Sequence, residues 1–204
     1  MGFFYRIFLS RAIGAEGMGI YQLIFPVYGI ALSLCASGIQ TAVSRLCAAQ
    51  ALSGRPTRIL RAGLVLSLSL SLLVSLFLYG RADFLADTLL LEPRCAPLLR
   101  ALAFCVPLSS LHSCINGYYY SLQKAGIPAL SQLLEQGARM LFLWLAWQVC
   151  LQEQTALTLD MAIWAIAAGE AAAVLCTLTA LAQSPSGPKL AKASPGRADT
   201  GLLP

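Results

Sequence analysis

The sequence predicts an all-α, polytopic transmembrane helix bundle of about six spans, and three observations support this fold class. Hydrophobic residues make up 58% of the chain and charged residues only 11%, a balance unlike that of soluble domains. The apolar residues form runs close to the ~20 residues that cross the hydrocarbon core of a bilayer. The basic residues stand singly at the ends of these runs, so the net charge of +5 does not indicate nucleic-acid binding.

A glycine-rich break separates the first two predicted spans. Residues 1–13 are apolar but cover only about 20 Å as a helix, so the first span is predicted to be truncated. The segment 14–19, GAEGMG, is typical of a turn. Residues 20–49 then form a long second span, in which Pro26 and Gly29 predict a bend or close helix packing.

The third span is predicted at residues 62–80, after a short basic connection. Its LSLSLSLL run alternates as a strand would, but Ser67, Ser71 and Ser75 also lie four residues apart on one face of a helix. The apolar run is too long for a single barrel strand, and its neighbours are long helices. We therefore predict a helix whose serines form a small-residue packing stripe.

Three further spans are predicted at residues 95–122, 129–150 and 157–182. After them, residues 183–204 lose hydrophobic periodicity and are rich in Pro, Gly, Ser and Lys. This composition predicts a disordered cytoplasmic tail. The membrane domain is thus expected to occupy residues 1–182.

The connections between spans alternate in charge. The connection after the second span, the one after the fourth, and the tail carry an excess of Lys and Arg, whereas the other connections carry mixed or acidic charge. The positive-inside rule then predicts a multi-pass protein of the cell (cytoplasmic) membrane with both termini cytoplasmic. Arg45, near the inner end of the second span, is interpreted as a positive-inside anchor rather than a ligand.

Charged residues inside spans are the main candidates for function, because each costs ~2.5–3.5 kcal/mol at a helix centre without a partner or a wet cavity. Glu135 and Arg139 lie one turn apart, where they either lock helix packing as an ion pair or serve a cavity. Glu170 is either protonated, paired with Arg139 or Arg6 of another helix, or exposed to a cavity. Arg6 either binds an anionic head group or snorkels to the membrane surface.

Two polar residues of the fourth span are weaker candidates for function than the charged residues. His112 is the sole histidine and is interpreted as a hydrogen-bonded packing residue, while Asn116 is either an interhelical contact or a substrate contact. The sequence has no GxSxG, Walker or HExxH motif, and its seven cysteines lack ligand spacing. We therefore expect no enzyme activity, no cofactor and no metal site.

Two blocks of the sequence carry a family resemblance. One is RIFLSRAIGAEGMGIYQLIFPVYGIALSLCASGIQTAVSRL, from Arg6 to Leu46, and the other is NGYYYSLQKAGIPALSQLLEQGARM, from Asn116 to Met140. They resemble the first two helices, and the segment joining helices four and five, of the polysaccharide- and oligosaccharide-flippase branch of the MATE/MOP superfamily. With the hydropathy of the rest, the resemblance covers about residues 1–182.

The resemblance implies a transporter that moves a lipid-linked oligosaccharide or polysaccharide precursor across the membrane between two lobes, as in cell-wall, spore-cortex or surface-polysaccharide export. We predict Arg6, Arg139 and Asn116 as substrate-binding residues, and Glu135 and Glu170 as coupling or cavity charges. Related drug exporters use an acidic residue in helix one. This sequence has arginines there, which favours an anionic lipid-linked substrate.

The resemblance also implies that the chain is a fragment comprising the N-terminal lobe, so transport would need a second lobe from another chain or a second copy. The expected partners are the lipid bilayer and a lipid-linked saccharide, with no nucleic acid. Two alternatives stay open at this stage. The chain could be a MATE-like proton- or sodium-coupled drug or cation antiporter, or a membrane fragment that does not transport.

Overall fold

The computed structural model describes residues 2–50, 56–152, 154 and 158–183, and within these ranges every regular element is a helix. The helices are α1 (Gly2–Leu32), α2 (Gly38–Gln50), α3 (Pro56–Gly80), α4 (Ala82–Phe84), α5 (Cys95–Ser121), α6 (Gly126–Gln152) and α7 (Leu159–Ala182). Two π-helical turns, Ser33–Ser37 and Leu85–Leu89, follow α1 and α4. The predicted all-α membrane bundle is confirmed. The predicted tail, residues 183–204, lies outside the described residues except for Gln183.

In the part of the chain that the structure describes, four helical segments are long and apolar enough to cross a membrane, judged by length and composition: Leu9–Ala49, Thr57–Gly80, Cys95–Ser121 and Leu159–Ala182. Helix α6 has 27 residues, about 40 Å of helix, but it is not among the four because its polar residues lower its hydropathy. Its two charged residues, Glu135 and Arg139, lie near its middle. The number of six spans stays a prediction.

The break expected between the first two spans is shorter than the glycine-rich sequence suggested. It is confined to Gly14, whose φ of 81° and ψ of 178° interrupt an otherwise continuous helix. Glycine adopts a positive φ without the steric penalty of a Cβ. The next residues include Ala15, Glu16 and Met18, which favour helix, and α1 therefore resumes immediately after Gly14.

Helix α5 is the centre of the bundle, and α1, α2, α3, α6 and α7 pack around it. In the most apolar 18-residue stretch of each helix, the buried share of residues is 61% in α5 and 50% in α7, but only 22% in α3. The outward side of α3 carries large apolar residues such as Leu72, Leu76 and Phe77. Helix α3 therefore presents the face most suited to lipid, while α5 is enclosed by protein.

Ser67, Ser71 and Ser75 of α3 face α5, as the predicted packing stripe requires. Ser67 and Ser71 are fully buried, and the hydroxyl of Ser67 forms a hydrogen bond with that of Ser110 on α5. One turn further along, Ser75 donates to the carbonyl oxygen of Ala103 at 2.7 Å. Small side chains allow the two helices to approach closely, and their hydroxyls add hydrogen bonds between helices.

Candidate functional site

Four ionisable side chains from three helices meet inside the bundle, and we call them the charge cluster: His112 of α5, Glu135 and Arg139 of α6, and Glu170 of α7. Arg139 Nη2 donates to Glu135 Oε1 at 2.8 Å. His112 Nδ1 lies 3.3 Å from Glu170 Oε2. Glu135 also interacts electrostatically with Glu170 and His112. The two pairs therefore act as one electrostatic unit.

The charge cluster is shielded from the surroundings. The side chains of His112 and Glu170 are 11% and 6% exposed, and those of Arg139 and Glu135 are 15% and 14% exposed. A net charge buried at this depth is costly. Two carboxylates oppose one guanidinium, so the cluster is neutral when one further proton resides on the imidazole or on a carboxylate. The arrangement can therefore hold one exchangeable proton.

Not all polar atoms of the charge cluster form hydrogen bonds within the described residues. Arg139 Nε, His112 Nδ1 and Glu170 Oε2 have no hydrogen-bond partner there. The approach between His112 and Glu170 is thus an ion-pair distance without hydrogen-bond alignment. The cluster keeps donor and acceptor capacity beyond the bonds that its own members make.

Gly169 brings the backbones of α6 and α7 together beside the charge cluster. A Cβ on Gly169 would lie 2.8 Å from the carbonyl oxygen of Glu135 and 3.4 Å from the Cβ of Arg139. Other small residues of α7, Ala165 and Ala173, are fully buried on the same helix. Close helix approach through small residues is typical of membrane bundles, and here it encloses the Glu135–Arg139 pair.

Helix α1 reaches the charge cluster through Tyr28. The phenolic oxygen of Tyr28 lies 3.1 Å from Ser109 Oγ on α5, and Tyr28 interacts electrostatically with Glu170 and Arg139. Ser109 precedes His112 by one turn of α5. Polar groups from α1, α5, α6 and α7 therefore share one interior site.

The structure brings three of the predicted site residues together and places a fourth beside them. Glu135, Arg139 and Glu170 all belong to the charge cluster. Asn116 lies one turn beyond His112 on α5, and its Nδ2 donates a long hydrogen bond of 3.4 Å to the hydroxyl oxygen of Ser131 on α6. It is buried, so its contact in this structure is the interhelical one.

The fifth predicted residue, Arg6, belongs to α1, but its side chain lies outside the described residues. Its predicted pairing with Glu170 therefore stays a prediction. In the described residues the ion-pair contact of Glu170 is with His112, a residue that sequence reasoning assigned to packing. A signal was present, because His112 and Asn116 lie four residues apart on one face of an apolar helix. The sequence could not show which helix that face meets.

Comparisons with known proteins agree with the helical membrane architecture. The family model described as "Polysaccharide biosynthesis protein" matches residues 1–183. Stage V sporulation protein B of Bacillus subtilis (strain 168) is 33% identical over 144 residues, which are 69% of this chain but only 28% of that protein. No solved structure matches. The chain belongs to the polysaccharide biosynthesis protein family, a family of membrane proteins of the MATE/MOP flippase type.

Proposed function

We propose that the chain forms part of a flippase-type transporter that moves a lipid-linked oligosaccharide or polysaccharide precursor across the cytoplasmic membrane. The observation that carries the proposal is the family match over residues 1–183. The four membrane-length apolar helices support a bilayer setting. The name of the Bacillus subtilis relative refers to sporulation. As part of the proposal, we assign the precursor that this chain would carry to the same process.

In this proposal the charge cluster is the coupling site. Adding or removing its exchangeable proton changes the electrostatic attraction among α5, α6 and α7. Tyr28 of α1 interacts with the same charges, so α1 is affected as well. A transporter needs an interaction whose strength differs between its two conformations. Glu135 and Glu170 are the acidic members that would take up and release the proton.

The proposed substrate contacts are Arg6, Arg139 and Asn116. A guanidinium binds phosphate through paired, charge-assisted hydrogen bonds, so Arg6 and Arg139 suit the phosphate of a lipid-linked saccharide. Arg139 is paired with Glu135, and Asn116 with Ser131. Asn116 would therefore meet substrate only after the α5–α6 contact opens, and Arg139 only after the α6–α7 packing that encloses it opens.

The proposed orientation has both termini in the cytoplasm. The end of the bundle where α2 ends and α3 begins carries Arg45, Arg58, Arg61 and Lys124, and no acidic residue lies there in the described part of the chain. The opposite end contains the ion pair of Arg94 with Glu16 and other mixed charges. This asymmetry supports the positive-inside assignment. A second copy or another chain would supply the second lobe.

A flipping assay tests the proposed function. The chain is reconstituted in liposomes with a fluorescent polyprenyl diphosphate saccharide, and a membrane-impermeant reductant reports the outward-facing fraction over time. One arm uses the chain alone at a high protein-to-lipid ratio, so that a second copy can supply the second lobe. The other arm adds the C-terminal remainder of the Bacillus subtilis relative as the second lobe. At least one arm should accelerate flipping of the saccharide lipid but not of a fluorescent phosphatidylcholine.

Variants connect that assay to the charge cluster. Glu170→Gln should abolish the dependence of flipping on a pH gradient, because it removes one proton-accepting carboxylate. Leu73→Ala, on the exposed side of α3 (65% exposed), is the matched control and should flip normally. If neither arm accelerates flipping, or if the protein instead expels a cationic dye in exchange for protons or sodium, the flippase proposal is wrong.

A further inference from the structure

A polar groove runs along α2, apart from the charge cluster, and we call it the α2 groove. It has a volume of about 340 Å³, at the lower end of the ~300–1,000 Å³ typical of small-molecule sites. Each lining residue has a side chain that can form hydrogen bonds. They are Ser37, Gln40, Thr41, Ser44, Arg45 and Tyr120.

The outward face of the α2 groove differs in chemistry from that of α3. Ser37, Thr41 and Arg45 are exposed on the α2 side, whereas the exposed residues of α3 include Val65 and Leu76, each 70% exposed. Polar side chains and arginine are costly against hydrocarbon. The α2 groove therefore faces water or a polar ligand, while α3 faces lipid.

Helical spacing places three of the lining residues on one side of the chain. The π-helical turn Ser33–Ser37 ends where the groove begins. From Ser37, Thr41 and Arg45 follow at successive steps of four residues. In a regular α-helix each such step drifts by about 40° around the axis. Two steps amount to about 80°, so the three side chains still share one face of the helix.

The α2 groove carries a positive charge that no carboxylate neutralises. Its lining contains Arg45 but no acidic residue, and within the described ranges no carboxylate forms a salt bridge with Arg45. The Thr41 hydroxyl donates to the carbonyl oxygen of Ser37 at 3.0 Å. An exposed guanidinium beside hydroxyl and amide groups is suited to a phosphate that carries further hydroxyls.

We propose that the α2 groove binds the phosphate-sugar head group of the lipid-linked saccharide, an inference that rests on the proposed function. Arg45 supplies charge and paired donors to the phosphate, while Ser37, Gln40, Thr41 and Ser44 supply hydrogen bonds to the sugar. The groove continues from Arg45 to Ser37, about 12 Å deeper along the helix. An ordinary phospholipid keeps its phosphate at the interface. Its head group carries no saccharide that could fill the deeper part of the groove.

Equilibrium binding in phosphatidylcholine nanodiscs tests the proposal, with the full chain and a fluorescent polyprenyl diphosphate saccharide as probe. Arg45→Gln should weaken binding about tenfold or more, because a charge-assisted contact is lost. Ser37→Ala combined with Thr41→Val should weaken it about threefold without changing charge. Arg61→Gln is the matched control: Arg61 is exposed at the same end of the bundle but outside the groove, and its loss should change affinity less than about twofold.

Three outcomes would overturn the assignment. Equal weakening by Arg45→Gln and Arg61→Gln, with no effect of the hydroxyl variant, would show a general surface charge effect. Displacement of the probe by phosphatidylglycerol at equal concentration would show an anchor for ordinary anionic lipid. In both cases the wild-type chain still binds the saccharide lipid, so the proposed function survives. Absence of probe binding by the wild-type chain would remove both proposals together.

Discussion

Two ion pairs of nearly equal length differ in burial, and burial decides how strongly the loss of one partner affects stability. Arg94 and Glu16 approach to 2.7 Å at one end of the bundle, with side chains 65% and 80% exposed. Arg139 and Glu135, one turn apart on α6 where it packs against α7, approach to 2.8 Å, with side chains 15% and 14% exposed. Water and salt screen the first pair. The second has lost most of its hydration and depends on its partners.

The largest expected effect follows from breaking the interior pair on one side. Arg139→Ala should lower the free energy of unfolding by about 3–5 kcal/mol, because Glu135 and the neighbouring Glu170 lose their compensating charge. The measurement is reversible unfolding in mixed micelles. The double variant Glu135→Gln with Arg139→Gln should cost clearly less, since no unpaired charge stays buried. Equal losses in the single and double variants would contradict this electrostatic account.

The next effect concerns the packing that encloses the interior pair. Gly169→Ala should cost about 1–3 kcal/mol of unfolding free energy by overpacking, because its Cβ would meet the carbonyl oxygen of Glu135 at 2.8 Å. Gly137→Ala on α6 is the control, since a Cβ there meets nothing within 4 Å, and it should be neutral or stabilising. A similar loss in both variants would mean that the α6–α7 contact is not tight.

A neutral interior hydrogen bond should have a smaller effect than the interior ion pair. Ser75→Ala removes the bond to the carbonyl oxygen of Ala103, and interhelical hydrogen bonds in membranes average about 0.6 kcal/mol. Ser69→Ala serves as control, because the Ser69 hydroxyl bonds only within its own helix. The same unfolding titration should separate the two variants by that amount. A loss equal to that of Arg139→Ala would contradict the expected difference between a neutral hydrogen bond and a buried ion pair.

The smallest effect is expected at the exposed pair. Arg94→Gln should leave the unfolding midpoint unchanged within error, at low and at high salt, because an exposed pair gains little over its hydrated partners. Thermal unfolding of the wild-type chain and the variant across a salt series provides the measurement. A large, salt-sensitive loss would show that the connection between α1 and α5 depends on this contact.

The two interior contacts of the charge cluster differ in how far the sequence could predict them. Glu135 and Arg139 share one helix, and the four-residue spacing alone brought them within reach. Glu170 and His112 belong to different helices, α7 and α5. Their contact depends on how each helix is rotated about its axis, which packing against neighbours decides. The sequence therefore identified the need of Glu170 for a partner but not the partner.

The same division applies to α2 and α3. The sequence by itself determined that both are helices of a membrane bundle, that the serines of α3 share one face, and that Arg45 lies near the end of α2, because composition and helical periodicity are local properties. Only the tertiary structure decided that these serines meet α5 and that Arg45 opens onto a polar groove. Hydropathy describes how a segment prefers lipid over water. It does not state which face meets lipid, a neighbouring helix or a cavity, since that choice is made by contacts between distant residues.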